Sequence, residues 1–90
     1  MPESNPSVPP RSVPVIIRQF NGRLLLGIVT QIDSDRSILR LSKVSLLEVV
    51  GLRGELEPIY AVKSKIRGYF EVPIDTIIHW ENAPDSLPVD

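Results

Sequence analysis

The sequence predicts a mainly β chain folded into one small, strongly bent barrel. Apolar segments of strand length, PVIIRQF (14–20), RLLLGIVTQI (23–32) and ILRLSKVSLLEVV (38–50), follow one another with only short polar breaks. Single glycines, Gly27 and Gly68, interrupt bulky stretches, and a residue without a side chain in a strand marks a bend. Nine prolines and the absence of a long helical period argue against a helical core.

The first strand, residues 14–20, turns at Asn21-Gly22 into the second, residues 23–32. Asn-Gly is a strong hairpin signal, because both central residues of a type I′ turn need positive φ. On the second strand Leu24, Leu26, Ile28 and Ile32 share one face, and Leu25, Gly27 and Val29 share the other. A strand with one wet face alternates apolar and polar residues. This one is apolar on both sides, so either it is covered twice within one chain or its outer face meets another subunit. After the polar break at residues 33–37, the third strand begins at Ser37 or Ile38. Its end is open. Ser45-Leu46-Leu47-Glu48 has the spacing of a helix capping box and Gly51 could close one helical turn, whereas so short a segment makes a poor helix and a long strand fits better. Residues 51–58 read as a loop and residues 59–72 as a fourth strand kinked at Gly68. Pro73-Ile74-Asp75 reads as a tight corner, and residues 76–81 as the final strand. Five strands with short connections and two glycine bends describe a partly open, SH3-like barrel.

Ninety residues make one domain. Residues 1–13, with four prolines and three serines, read as a flexible Pro-rich arm, and residues 82–90 as a flexible tail. The barrel domain is then residues 14–81. Without cysteine there is no disulfide framework, thiol nucleophile or zinc–thiolate site, which fits a reducing compartment, and a cytoplasmic location is expected. The first 13 residues lack the basic start and apolar core of a signal peptide, and the apolar runs fall short of the ~20 residues that span a bilayer, so no membrane association is expected. A net charge of −1 and a pI near 5.8 argue against binding driven by a general basic excess and leave only local cationic patches.

Two series of residues carry a further signal. Ile16 to Phe20, then Gly22, Gly27, Asp33 and Leu39/Leu41, form the first; Phe70-Glu71-Val72-Pro73-Ile74-Asp75-Thr76-Ile77-Ile78 forms the second. Across residues 15–80 their order and spacing resemble the two sequence motifs of the Sm-like (LSm/Hfq-type) family, whose members are small RNA-associated proteins. The resemblance implies a five-stranded Sm-like fold. In that fold the strand before the proline corner pairs edge to edge with the last strand of a neighbour, closing a homo-oligomeric ring of about five to eight subunits. The implied subunit interface is Phe70, Val72, Ile77, Ile78 and Trp80. Rings of this family bind single-stranded RNA around the pore, which makes Arg36, Ser37 and Arg67 the candidate RNA contacts. Arg36 and Ser37 stand where the family places a stackable residue and an asparagine. Phe70-Glu71-Val72 stands where Hfq-type proteins carry Tyr-Lys-His.

Other residues have plainer readings. Lys63, Lys65 and Arg67 alternate along the fourth strand, either as a phosphate-contacting stripe or as a solvated face with edge-protecting charges. His79 is the one histidine and reads as a packing or interface residue, and Trp80 as a barrel cap or subunit contact. Asp33-Ser34-Asp35 supplies too few carboxylates for calcium and suits a turn, so neither a metal nor a cofactor is expected. No triad, phosphate-binding glycine loop or paired acid in a pocket-like context is present, so an enzyme is not expected. The expected function is a single-stranded RNA-binding, RNA-chaperone-like module. The alternative is a structural or scaffolding ring without nucleic-acid binding, which the near-neutral charge favours.

Overall fold

The computed structural model describes residues 8–87. In chain order it contains β1 (Pro14–Gln19), β2 (Leu24–Asp33), β3 (Ile38–Arg53), β4 (Glu57–Ile66), β5 (Phe70–Pro73), a 3₁₀ turn (Ile74–Thr76) and β6 (Ile77–Asn82). The chain is mainly β, as expected, and forms one antiparallel sheet ordered β4-β3-β2-β1-β6, with β5 paired to β3 off this path. No ladder joins β4 to β6, so the sheet is open. Among the described residues there are six strands rather than five. Gly68 adopts φ +74 and turns the chain out of the ladder between Ile66 and Phe70. The stretch expected as one kinked strand therefore divides: β4 pairs with the later part of β3, and β5 with its first residues. The third element is a long strand throughout, with no helical turn at Ser45. It runs on through Gly51 to Arg53, which shortens the expected loop.

The first hairpin differs from the two-residue turn that Asn-Gly suggests. Gly22 takes φ +88, while Asn21 is not among the residues with positive φ. The Gly22 N–H donates to the Gln19 carbonyl at 2.9 Å, and the Gln19 N–H donates to the Arg23 carbonyl at 2.9 Å. This is a three-residue loop, Phe20-Asn21-Gly22, with the glycine absorbing the left-handed step. Asn21 Oδ1 accepts the Arg23 N–H at 2.9 Å, so the asparagine acts through its side chain.

A lone sheet with no covering helix buries an apolar face only by bending over it. Val15, Ile17, Leu25, Val29, Leu39, Leu41, Val44 and Val72 form one buried cluster, drawn from β1, β2, β3 and β5. Half-buried Ile66, Phe70, Ile74, Ile77 and Trp80 pack against it. The bend lies where β2 meets β3 at Gly27. There the register shifts between Leu26 and Ile28, and Lys43 on the facing strand takes φ +55. A Cβ on Gly27 would sit 3.2 Å from the Ser42 carbonyl oxygen and 3.3 Å from Val44 Cγ2, so the two backbones approach as closely as they do because no side chain intervenes. A second register shift, at Thr30, moves Ile32 onto the face of Leu25 and Val29, opposite to simple alternation.

Ile16, Leu24, Leu26 and Leu47 form a second buried cluster on the other face. The chain covers this face itself: Tyr60 and Val62 of β4, and Ala83 and Leu87 beyond β6, pack against it. Of the two explanations for the doubly apolar second strand, coverage within one chain is the one observed. The segments expected as loose termini take part in the packing. Val8 packs against the first cluster, Pro9 is fully buried, and the Ser12 N–H donates to the Val29 carbonyl at 3.0 Å. The Ala83 N–H donates to the Pro14 carbonyl at 3.0 Å. Val8, Pro9, Ala83 and Leu87 thus find apolar surface to bury, while their neighbours 10–13 and 84–86 stay exposed. The remainder of the expected arm and tail, 1–7 and 88–90, lies outside the described residues. Among the described residues no helix is long and apolar enough to cross a membrane.

Leu26 is fully buried in the second cluster, whereas Leu52 in the β3–β4 hairpin is 60% exposed. Leu26→Ala is expected to cost about 2–5 kcal/mol in urea unfolding, and Leu52→Ala less than about 0.5 kcal/mol. Equal costs would mean that the second face is not a core.

Candidate functional site

Arg36 and Ser37 lie in the connection between β2 and β3. The Arg36 N–H donates to Asp33 Oδ1 at 3.2 Å, an Asx-type turn, and the guanidinium returns to the same carboxylate at 3.8 Å. Asp33 therefore does the turn work expected of it. Ser37 takes φ +55, a left-handed conformation that serine adopts at a cost. Its carbonyl accepts the Ile74 N–H at 2.8 Å, which ties this loop to the corner between β5 and β6. The β2–β3 loop and the β5–β6 corner are in contact here.

Arg67 is placed elsewhere. β5 runs antiparallel to the start of β3, with Pro73 opposite Ile38 and Phe70 opposite Leu41. The Ser37 loop thus sits at the Pro73 end of β5, and Arg67 lies beyond its Phe70 end. At ~3.3 Å per strand residue the two are more than about 10 Å apart, so the expected grouping of Arg67 with Arg36 and Ser37 does not form within one chain.

The candidate interface residues also separate. Val72 is fully buried in the first cluster, because its position on β5 faces inward with Leu39 and Leu41, and its side chain is not available to a neighbour. Phe70, Ile77 and Trp80 are half-buried against the same cluster, and the Arg23 guanidinium lies 5.7 Å from the Phe70 ring centroid. Ile78 is 61% exposed. It falls at a register shift in the β1–β6 ladder, where Arg18 opposes His79 and Gln19 opposes Ile77, so the extra residue is left outside the pairing.

Sequence reasoning misses a row of polar residues on the outward face of three adjacent strands. Gln31 of β2 opposes Arg40 of β3, and Arg40 opposes Glu71 of β5. Arg40 Nη2 donates to Glu71 Oε2 at 3.1 Å, and its guanidinium lies 5.2 Å from the Tyr69 ring centroid. With Asp33, Arg36 and Ile38, this row lines a depression of about 30 Å³, room for a water or two rather than a nucleobase. Tyr69 escapes notice along the chain because it follows Gly68 inside what reads as one continuous strand. The break after Gly68 is what leaves it exposed.

A second hollow, of about 280 Å³, opens on the other face between Pro58, Tyr60, Glu81 and Pro84. The Tyr60 hydroxyl donates to Glu81 Oε2 at 3.3 Å, and His79 Nε2 lies 3.6 Å from Glu81 Oε1. Burial, then the Glu81 charge and hydrogen bond, raise the Tyr60 pKa above the ordinary phenol value. No group of three or more histidine, cysteine or carboxylate side chains suited to a metal occurs among the described residues. Compared with known proteins, the chain matches no family model, no curated protein and no solved structure.

Two residues here give measurable outcomes. Ser37→Asn retains a local hydrogen-bonding group in a residue that tolerates the left-handed region, and is expected to raise stability by up to about 1 kcal/mol in chemical denaturation. For Tyr60, a raised folded-state pKa means that the folded chain holds the phenolic proton more tightly than the unfolded chain. Its stabilising contribution is complete below the unfolded pKa of about 10 and is lost as pH rises through the folded value. Thermal melts at increasing alkalinity should show a steeper loss of stability for the wild type than for Tyr60→Phe; parallel profiles would contradict this.

Proposed function

We propose that this chain is an Sm-like barrel that assembles edge to edge into a homo-oligomeric ring and binds single-stranded RNA without catalysis. The observation that carries the reading is the placement of the edges. Among the described residues β5 is laddered to β3 alone and β6 to β1 alone, so each has one side without a strand partner. The 3₁₀ turn at Ile74–Thr76 hands the chain directly from one edge strand to the other. A long bent β3 shared by β2, β4 and β5, with the last strand returning to β1, supports the barrel connectivity that the family resemblance implies. Pairing such edges in a ring removes surfaces that would otherwise invite aggregation. The RNA reading rests on the exposed Arg36 loop and its contact with the β5–β6 corner.

A scaffolding ring is the second reading. It is favoured by the pairing of both cations near the loop, Arg36 with Asp33 and Arg40 with Glu71, which leaves less positive charge for phosphates.

Light scattering on the full chain separates assembly from binding. The wild type is expected at about five to eight times the 10.1 kDa chain mass. Ile78→Glu, which changes an exposed side chain, is expected to shift it toward monomer with little change in folding; a monomeric wild type would refute the assembly. Fluorescence anisotropy with labelled oligo-uridine and oligo-adenosine at low salt tests the RNA reading. Arg36→Ala should reduce the slope of log affinity against log salt by about 0.7 for each phosphate that the arginine neutralises. An absence of wild-type binding at micromolar ring leaves the scaffold reading standing.

A further inference from the structure

The outward face of β2, β3 and β5 carries a row of side chains that begins beside the Arg36 loop and reaches an exposed aromatic beyond it. Gln31, Arg40 and Glu71 lie abreast on three adjacent strands, spaced by the ~4.8 Å between neighbours in a sheet. Tyr69 is 65% exposed, although it belongs to the residue types with most to gain from burial. The Arg40 guanidinium lies 5.2 Å from the ring centroid and donates to Glu71 at 3.1 Å, so one side of the aromatic has a cationic partner and the rest is exposed. Gly68, at φ +74, sets the turn that presents it.

We propose that Tyr69, with Gln31, Arg40 and Glu71 beside it, is a base-stacking platform for single-stranded RNA, and that this sheet face contributes more to affinity than Arg36 and Ser37. The proposal rests on the RNA-binding reading above and names a different surface for it. Three physical points carry it. A nucleobase has a π-face whatever its sequence, and an exposed aromatic at the border of a sheet face is a surface on which bases stack. The adjoining side chains offer a mixed set of partners to base edges: an amide with both donor and acceptor, a guanidinium and a carboxylate. The depression beside Arg36 is too small, at about 30 Å³, to enclose a base, so stacking on an open surface is the mode of contact that the shape allows. The occupant argued for is RNA because the row sets hydrogen-bonding side chains, Gln31, Arg40 and Glu71, beside an exposed aromatic, the combination that holds unstacked bases.

The experiment is anisotropy of labelled oligo-adenosine and oligo-uridine against wild type, Tyr69→Ala, Tyr69→Phe and Arg36→Ala. Thermal melts confirm that each variant is folded, as expected for changes at exposed side chains. The expected result is a loss of about tenfold or more for Tyr69→Ala, near-wild-type binding for Tyr69→Phe, and a smaller loss for Arg36→Ala. Wild-type binding unaffected by Tyr69→Ala overturns the platform and leaves the RNA reading intact. Wild type that binds neither oligonucleotide overturns both.

Discussion

Strand β2 carries fully buried side chains on both of its faces, Leu25 and Val29 on one and Leu26 on the other, within a single sheet that has no helix to cover it. The rest of the architecture answers that constraint. One face is closed by bending the sheet over it, and the bend needs Gly27, where a side chain would meet the Ser42 carbonyl and Val44. The other face is closed by the β4 residues Tyr60 and Val62 and by the segment after β6, which crosses back to contribute Ala83 and Leu87. Burial of each large aliphatic side chain is worth about 1.5–3 kcal/mol, enough to hold down short terminal segments that composition alone would leave free.

This self-coverage changes what the apolar second strand says about assembly. Leucines on both surfaces suggest a neighbouring subunit that seals the outer one, yet Leu26 and Leu24 are sealed by their own chain. The case for assembly therefore moves from the faces of the sheet to its borders. β3 is paired with β2 on one side and with β5 and then β4 on the other, while β4, β5 and β6 each keep one unpaired side among the described residues. Pro73 at the end of β5 and the 3₁₀ turn that follows keep the last two of those borders short, which limits indiscriminate pairing without preventing a specific one.

Much of this is legible from local chemistry. Gly27, Gly68 and the Pro73 corner announce the bends, because a glycine within a bulky strand and a proline at its end each have few other uses. The failures share one cause: interactions between residues far apart in sequence. The parity of Ile32 is inverted by a bulge at Thr30 that depends on β3. Val72 stands on an edge strand, as the sequence suggests, but its side chain is core because β5 docks on Leu39. Arg67 is close to Phe70 in sequence, but the antiparallel register puts it at the far end of β5 from Ser37. Pro9 and Leu87 sit in proline-rich, polar segments whose composition signals disorder, and only the apolar surface waiting for them reverses that signal. Tyr69 and Arg40, outside the residues that carry the family resemblance, meet only because Gly68 ends β4 early.

For the RNA-binding reading proposed above, the electrostatics of the outward face favour stacking over phosphate contact. Arg36 is engaged by Asp33 and Arg40 by Glu71, in a chain whose net charge is −1. An arginine that keeps its carboxylate partner releases few counterions when a polyanion approaches, so little affinity comes from that source. The same pairing places the Arg40 guanidinium between two partners, the Tyr69 ring on one side and the Glu71 carboxylate on the other. What such a surface lacks in long-range attraction must come from short-range contact, and the exposed Tyr69 ring is the largest apolar area this face offers a base.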